Sequence, residues 1–298
     1  MQDHGARGPR QRGRAYASPM SSSAGVDAGV GVRAARRGNL WLYDTARRVA
    51  GWLVRALRLR IIPTGLSEVP QGQVVLAVTH FGYGDFAPVA LAWWADRHDR
   101  LRFLVGPRPY RSRLLGAAIT ACGGVAVLGG ADHASLSAAM RALDAGWSIA
   151  LFPEAGVSRS FTVRRCHTGA VRMALATGVP LIPVGVWGGH RITTRGHGPR
   201  NRTHRGSVRD AWMAPVRVHF GPPVAFGEGE PPEQSARRLQ RALQEAVDVA
   251  AGDFPLGRPR GAWWVAAKDG GGAPTEAERD IWDAFDASHG LRPDRDKM

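Results

Sequence analysis

The chain is 298 residues long and 44% hydrophobic, enough for a sizeable core in one large domain or two small ones, so a globular protein is the expectation. Its formal charge is +15, and of its 40 basic residues only Lys268 and Lys297 are lysine. Two cysteines, Cys122 and Cys166, are too few for a disulfide framework and favour a reducing compartment.

Residues 1–38 are mostly Gly, Ser, Ala and Arg, with too few large apolar side chains to offset the entropy of ordering, and they read as a disordered arm. The arm is polar and has no apolar central region, so no secretory signal is expected. Its seven arginines against Asp3 and Asp27 give it +5, which leaves +10 on the rest of the chain. A body that basic suits an anionic partner: nucleic acid, an anionic membrane surface or a phosphate-bearing carrier.

Between 39 and 62, Leu42, Ala46, Val49, Leu53, Ala56 and Leu57 share one arc of a 3.6-residue helix. Arg47, Arg48, Arg55 and Arg58 take the opposite arc, with Trp41 and Trp52 near the boundary. The pattern fits a helix lying in a membrane interface, and equally one that covers the domain's own core. Residues 74–78 form an apolar, β-branched run that ends in Thr79-His80-Phe81-Gly82-Tyr83-Gly84-Asp85, a buried strand feeding a turn. A helix is predicted over 86–95, a strand over 102–106, a helix over 114–121 and, in the run Gly123 to Leu128, a strand between glycines. A helix over 132–145 follows, then a buried strand, 148–152, running into Pro153-Glu154-Ala155-Gly156. Next come a helix over 168–177 and a strand over 181–186. Residues 190–209, with six arginines and no acid, read as a loop. A late strand at 216–220 precedes a helix whose apolar face is Leu239, Leu243, Val247 and Ala250. Thr275 and Glu278 have capping-box spacing for a last short helix. The alternation predicts an α/β domain with a central, mostly parallel or mixed sheet covered by helices, preceded by the amphipathic interfacial helix. The uncharged stretches 114–131 and 173–189 are cut by Gly and Pro, so no spanning helix is expected.

Three places carry candidate chemistry. Four residues separate His80 from Asp85, across a turn whose glycines let the carboxylate come back toward the ring, which makes His80 a candidate general base. The spacing alone is unspecific, since a surface histidine near a helix-capping aspartate gives the same pattern. Position favours function, because active groups in open α/β sheets lie beyond the carboxyl ends of strands. Glu154, at the next strand end, is a candidate for binding a substrate hydroxyl, and the amides near Gly156 for holding an anion. Pro183 is awkward in a central strand because it donates nothing to the ladder; with Pro180 it points to an edge, a bulge or a shaped pocket wall, to which Phe81 also belongs.

In order, H-x4-D, Phe152-Pro153-Glu154 and Val179-Pro180-Leu181-Ile182-Pro183-Val184 resemble the glycerolipid acyltransferase family, which includes the lysophosphatidic acid and glycerol-3-phosphate acyltransferases. The resemblance spans roughly 64–226 and takes in Gly123 to Gly130, Gly169-Ala170 and Phe220-Gly221-Pro222-Pro223. It implies that His80 deprotonates an acceptor hydroxyl attacking an acyl thioester, that Asp85 orients the imidazole, and that neither an enzyme nucleophile nor a cofactor or metal is needed. The implied partners are an acyl-CoA or acyl-carrier-protein donor, a lysolipid acceptor and an anionic membrane surface at the cytoplasmic face. The implied organisation is an arm (1–38), a membrane-interface helix (39–62), an acyltransferase domain (63–252) and a C-terminal extension (253–298).

The departures bear on the acceptor. The family usually has an arginine where this chain has Leu128-Gly129-Gly130, and commonly Glu-Gly-Thr-Arg-Ser where this chain has Glu154-Ala155-Gly156-Val157-Ser158. Arg159, Arg111 and Arg113 are the candidates to replace the missing head-group contacts, with Ser158 beside them. An acceptor other than a simple glycerol phosphate, a different lysolipid or a glycolipid, is therefore expected.

The rival readings are weaker. Gly82-x-Gly84-x-x-Ala87 imitates a dinucleotide-binding turn, but Asp85 would repel the pyrophosphate. Gly156-Val157-Ser158-Arg159-Ser160 lacks the second glycine of a nucleophile elbow. The alternative without catalysis is a basic membrane- or nucleic-acid-binding α/β protein; nucleic acid is disfavoured because the arginine-rich loop has no aromatic residue for stacking. His190, His197 and His204 recur every seven residues, yet a solvated loop is the expectation over a metal site, because no acid or cysteine stands nearby.

Overall fold

A computed structural model of the chain describes residues 40–99, 101–106, 113–121, 124–126, 133–198, 203–207, 210 and 212–289. The N-terminal arm, Arg111 and Leu128-Gly129-Gly130 lie outside the described residues.

Helix α1 (Leu40–Ala56) is followed by β1 (Arg60–Thr64), β2 (Val75–Val78), α2 (Phe86–Arg97), β3 (Leu101–Val105), α3 (Arg113–Ala121) and β4 (Val125–Ala126). Then come α4 (His133–Asp144), β5 (Ser148–Leu151), α5 (Gly169–Thr177), β6 (Leu181–Trp187), β7 (Thr193–Arg195), β8 (Thr203–Arg205), β9 (Pro215–Phe220), α6 (Pro232–Gly252) and α7 (Glu276–Ser288). Among the described residues one sheet runs β1-β9-β6-β2-β5-β3-β4, and β7 and β8 form a separate hairpin. The β6-β9 pair is antiparallel and every other neighbouring pair in the large sheet is parallel. This is the expected α/β architecture with a mixed sheet.

The sheet is buried on both faces, which is why its central strands read as continuous apolar runs. Val75, Ala77, Ile149 and Leu181 enter one core with α4, α5 and α6; Val74, Leu76, Val78, Ile182 and Val184 enter the other with α2 and β9. Successive residues point to opposite faces, so both cores draw on the same strands. At Gly185 a β-carbon would lie 2.4 Å from the Ala246 backbone, so glycine is what lets α6 lie directly on β6.

Three expectations are corrected. The first helix ends at Ala56, and 60–64 is an edge strand parallel to β9, so the sheet begins inside the segment assigned to the helix. Along α1 the guanidinium of Arg47, expected on the outer arc, sits 4.2 Å from the Trp94 ring, while Val49 and Ala56, expected on the inner arc, are exposed. The described residues within 190–209 are folded rather than loop: His190 is buried with Nε2 2.9 Å from the Trp264 carbonyl, and the β7-β8 hairpin follows it. Burial pushes the His190 pKa down to about 3, so its ring is neutral at physiological pH.

The segment after α6 belongs to the same body. Trp264, Val265, Ala266 and Ala273 join the core that holds Val75 and Ala77. The expected capping box is present at α7, where the Glu278 amide donates to Thr275 Oγ1 and the Thr275 amide to Glu278 Oε2. Among the described residues no helix is long and apolar enough to cross a membrane.

Candidate active site

Three adjacent parallel strands, β6, β2 and β5, end side by side, and each leads into a loop of the candidate site. Past β2, Thr79 closes the ladder: its amide donates to Val184 O and its hydroxyl accepts from the Val186 amide, at 3.0 and 2.9 Å. The chain then turns sharply at His80.

Asp85 organises that turn. It stands just before α2 without capping it; its Oδ2 instead accepts from the Phe81 and Gly82 amides at 2.8 and 2.6 Å. The carboxylate is 1% exposed. It is seated between glycines, since a β-carbon on Gly82 or Gly189 would lie 2.9 or 2.8 Å from Oδ1. His80 Nδ1 is 3.8 Å from Asp85 Oδ2, beyond hydrogen-bond length, and among the described residues neither Nδ1 nor Asp85 Oδ1 has a hydrogen-bond partner. The His80 ring lies against Phe152, with centroids 4.1 Å apart and planes 22° apart, and its side chain keeps 18% of its surface open.

Glu154, past β5, is a clamp rather than a free carboxylate. Its Oε1 accepts from the His80 amide and its Oε2 from the Arg164 amide, both at 2.8 Å. Burial raises its pKa to about 7, against the lowering effect of those amides and of the Arg164 charge. The Ser158 amide donates to the His80 carbonyl at 2.8 Å, so both polar groups of the His80 backbone are bound by one loop. Ala155 and Phe161, at φ 55° and 53°, sit in the left-handed region that favours glycine.

The remaining expected site residues fall elsewhere. Ser158 is fully buried, with its hydroxyl on the Thr162 carbonyl, and Gly156 is half-buried in the same loop. Arg159 is 0% exposed, with its guanidinium on Asp286 Oδ2 at 2.6 Å and the Gly198 carbonyl at 3.0 Å, so it is closed to a ligand in this arrangement. Arg113 is exposed at the start of α3. Phe81 is a core residue, packed edge-on against Phe161, Trp187 and His190. Pro180 lies at the other end of the sheet, because the Val75↔Leu181 register sets it where β2 begins rather than where His80 emerges. Pro183 is in a central strand, but its nitrogen faces the side of its carbonyl, which accepts from the Gly221 amide just past the end of β9. No ladder acceptor is needed there, so the strand is locally an edge.

Three features went unread in the sequence: the backbone clamp by Glu154, the covering of His80 by Phe152, and the hold of β7 on the turn. The Thr194 hydroxyl donates to the Phe81 carbonyl, and the Tyr83 amide to the Thr193 carbonyl at 3.2 Å. Thr194 is an ordinary strand residue in sequence, and only its pairing opposite Gly82 reveals the contact.

A histidine and a carboxylate thus lie together beyond the carboxyl ends of parallel strands, the place where active groups of open α/β sheets sit. The family model for acyltransferases matches residues 60–187, from β1 through β6. The 1-acyl-sn-glycerophosphate (LPA) acyltransferase PlsC from Thermotoga maritima is a similar solved structure, at 18% identity and TM-score 0.49, covering 68% of this chain and 78% of that one. A search of curated proteins returned no match.

Proposed function

We propose that this acyltransferase moves a fatty acyl group from an acyl thioester, acyl-CoA or acyl-carrier protein, to a hydroxyl of a lysophospholipid or related lipid, as a step of phospholipid biosynthesis. The observation that carries this reading is His80 at the end of β2, flat against Phe152, with Nδ1 turned to the buried Asp85 carboxylate. With Nδ1 facing Asp85, Nε2 is left to take the proton of the acceptor hydroxyl as its oxygen attacks the thioester carbon. The thiolate leaves and is protonated from the imidazolium, whose positive charge lies beside Asp85 in the interval. The donor brings the acyl group already activated, so no covalent enzyme intermediate, metal or cofactor enters. The enclosure of Arg159 supports an acceptor whose head group that arginine does not read.

The exposed side of α1 supports peripheral attachment to the cytoplasmic face of a membrane. Trp41 and Trp52 are 72% and 65% exposed, and with exposed Arg48 and Arg55 they recur at spacings that keep them on one side of the helix. Tryptophan among cations suits an anionic head-group layer. Trp212 and Met213, also exposed, extend this surface from the end of α1, where the Met213 amide donates to the Leu57 carbonyl.

One assay tests both parts: labelled acyl thioester is offered with lysolipid in anionic vesicles, which are then sedimented. The natural chain is expected to pellet and transfer label, folded His80→Ala to pellet without transfer, and Trp41→Ser/Trp52→Ser to stay largely in the supernatant. Turnover by His80→Ala rules out the general base; equal pelleting of the tryptophan variant rules out α1 as the docking face.

A further inference from the structure

Three of the contacts that hold the turn at His80 from outside it are each tied to an arginine. Ser158, whose amide binds the His80 carbonyl, precedes Arg159. Arg164 gives its own amide to Glu154, the residue that binds the His80 amide. Thr194, whose hydroxyl binds the Phe81 carbonyl, precedes Arg195. The three guanidiniums converge on two carboxylates of α7. Asp286 Oδ2 takes Arg159 at 2.6 Å and also Arg195; Asp283 takes Arg195 at 2.6 Å through Oδ1 and Arg164 at 2.9 Å through Oδ2. Asp286 is 0% exposed. Water therefore cannot stand in for it, and each arginine is confined to the geometry the carboxylates set. Helix α7 lies outside the residues that match the family model.

We propose that Asp283 and Asp286 are positioning residues for acyl transfer: by fixing Arg159, Arg164 and Arg195, helix α7 fixes the main-chain hold on His80. The inference rests on the reading of His80 as general base. On this view the C-terminal helix is part of the catalytic unit, and its carboxylates act on the rate of the chemical step rather than on either substrate's binding.

The test is steady-state kinetics of Asp286→Asn in the full-length chain, with the labelled thioester and lysolipid. The expected result is a kcat lower by roughly 10- to 100-fold, the scale on which small misplacements of a reacting group act, with both KM values little changed. Asp286→Glu, which restores the charge, should recover part of kcat, and Asp280→Asn, an exposed change on the same helix, should leave it at the natural level. A cooperatively folded Asp286→Asn protein with natural kcat overturns the proposal even if its melting temperature has dropped. Should Asp286→Asn fail to fold, Asp283→Asn is read in the same way: lost kcat at unchanged KM supports the proposal and natural kcat overturns it. His80→Ala alongside separates the two ideas, because turnover there sinks the general base, whereas natural kcat in the aspartate variants beside a dead His80→Ala sinks only the role of α7.

Discussion

His80 and Asp85 face each other across 3.8 Å with no hydrogen bond between them, whereas Arg159, on the loop after β5, and Asp286 of α7 meet at 2.6 Å with neither side chain exposed. The pair proposed to carry the chemistry is loosely joined and the pair proposed to support it is tightly joined. The bonds that place His80 use its amide and carbonyl, through Glu154 and Ser158, and among the described residues the ring nitrogens carry no hydrogen bond. A base fixed by its backbone keeps its ring free to draw toward Asp85 as it becomes charged, consistent with catalytic hydrogen bonds that are long before substrate binds.

The sharpest way to break this contrast is to remove charge from the loose pair without disturbing the turn. Asp85→Asn keeps a carbonyl oxygen for the Phe81 and Gly82 amides, so the protein should stay folded while acyl transfer falls on the order of 100-fold or more. Asp85→Ala should lose the same activity and in addition about 2–4 kcal/mol of stability, because two buried amides lose their acceptor. Urea denaturation beside the transfer assay separates these effects. If Asp85→Asn and the natural chain turned over equally, the carboxylate would be a turn-former only.

A smaller effect is expected from Glu154 and shows itself through pH. Burial holds its pKa at about 7 in the folded chain against an ordinary 4.5. Between those values the folded state keeps a proton that the unfolded state has released. The stabilising contribution is therefore complete below about pH 4.5 and is lost as pH rises through 7, a change of about 3 kcal/mol. Glu154→Gln cannot titrate, so the stability of the natural chain relative to it should fall between pH 5 and 8. Parallel pH curves for the two proteins would show that the carboxylate is not destabilised by burial.

Much of this was legible in the sequence, for physical reasons that also mark where legibility stopped. Strands β2, β5 and β6 stood out because burial on both faces demands unbroken apolar runs, and a histidine ending one of them was conspicuous. Glu154, Ser158 and Arg159 were picked out as residues, but their partners were not: Arg159 and Asp286 are 127 positions apart, and nothing in one sequence ties a distant aspartate to that arginine rather than to water. Sequence alone groups Pro180 with the site because a strand's sequence does not say which neighbours it takes or which end of it carries the loops. Strand β1 is indistinct from α1 in the sequence because Ile61 and Ile62 continue the apolar content of the helix, while its pairing with β9 spans some 150 residues.

The smallest expected effect bears on the tight side of the contrast. Ala155, at φ 55°, occupies a conformation that costs a residue with a β-carbon about 1 kcal/mol, and it lies between the Glu154 clamp and the arginines that α7 grips. Ala155→Gly should therefore raise stability by up to about 1 kcal/mol, less whatever the freer unfolded chain takes back. If the α7 carboxylates are what keep the loop in this strained form, relieving the strain should matter more once they are weakened. Ala155→Gly should then restore more stability in an Asp286→Asn background than in the natural chain, a coupling of about 0.5–1 kcal/mol by a double-mutant cycle. Strict additivity would mean that the strain and the ion pairs are independent features of the loop, and that the firmness of the His80 backbone owes more to Glu154 than to α7.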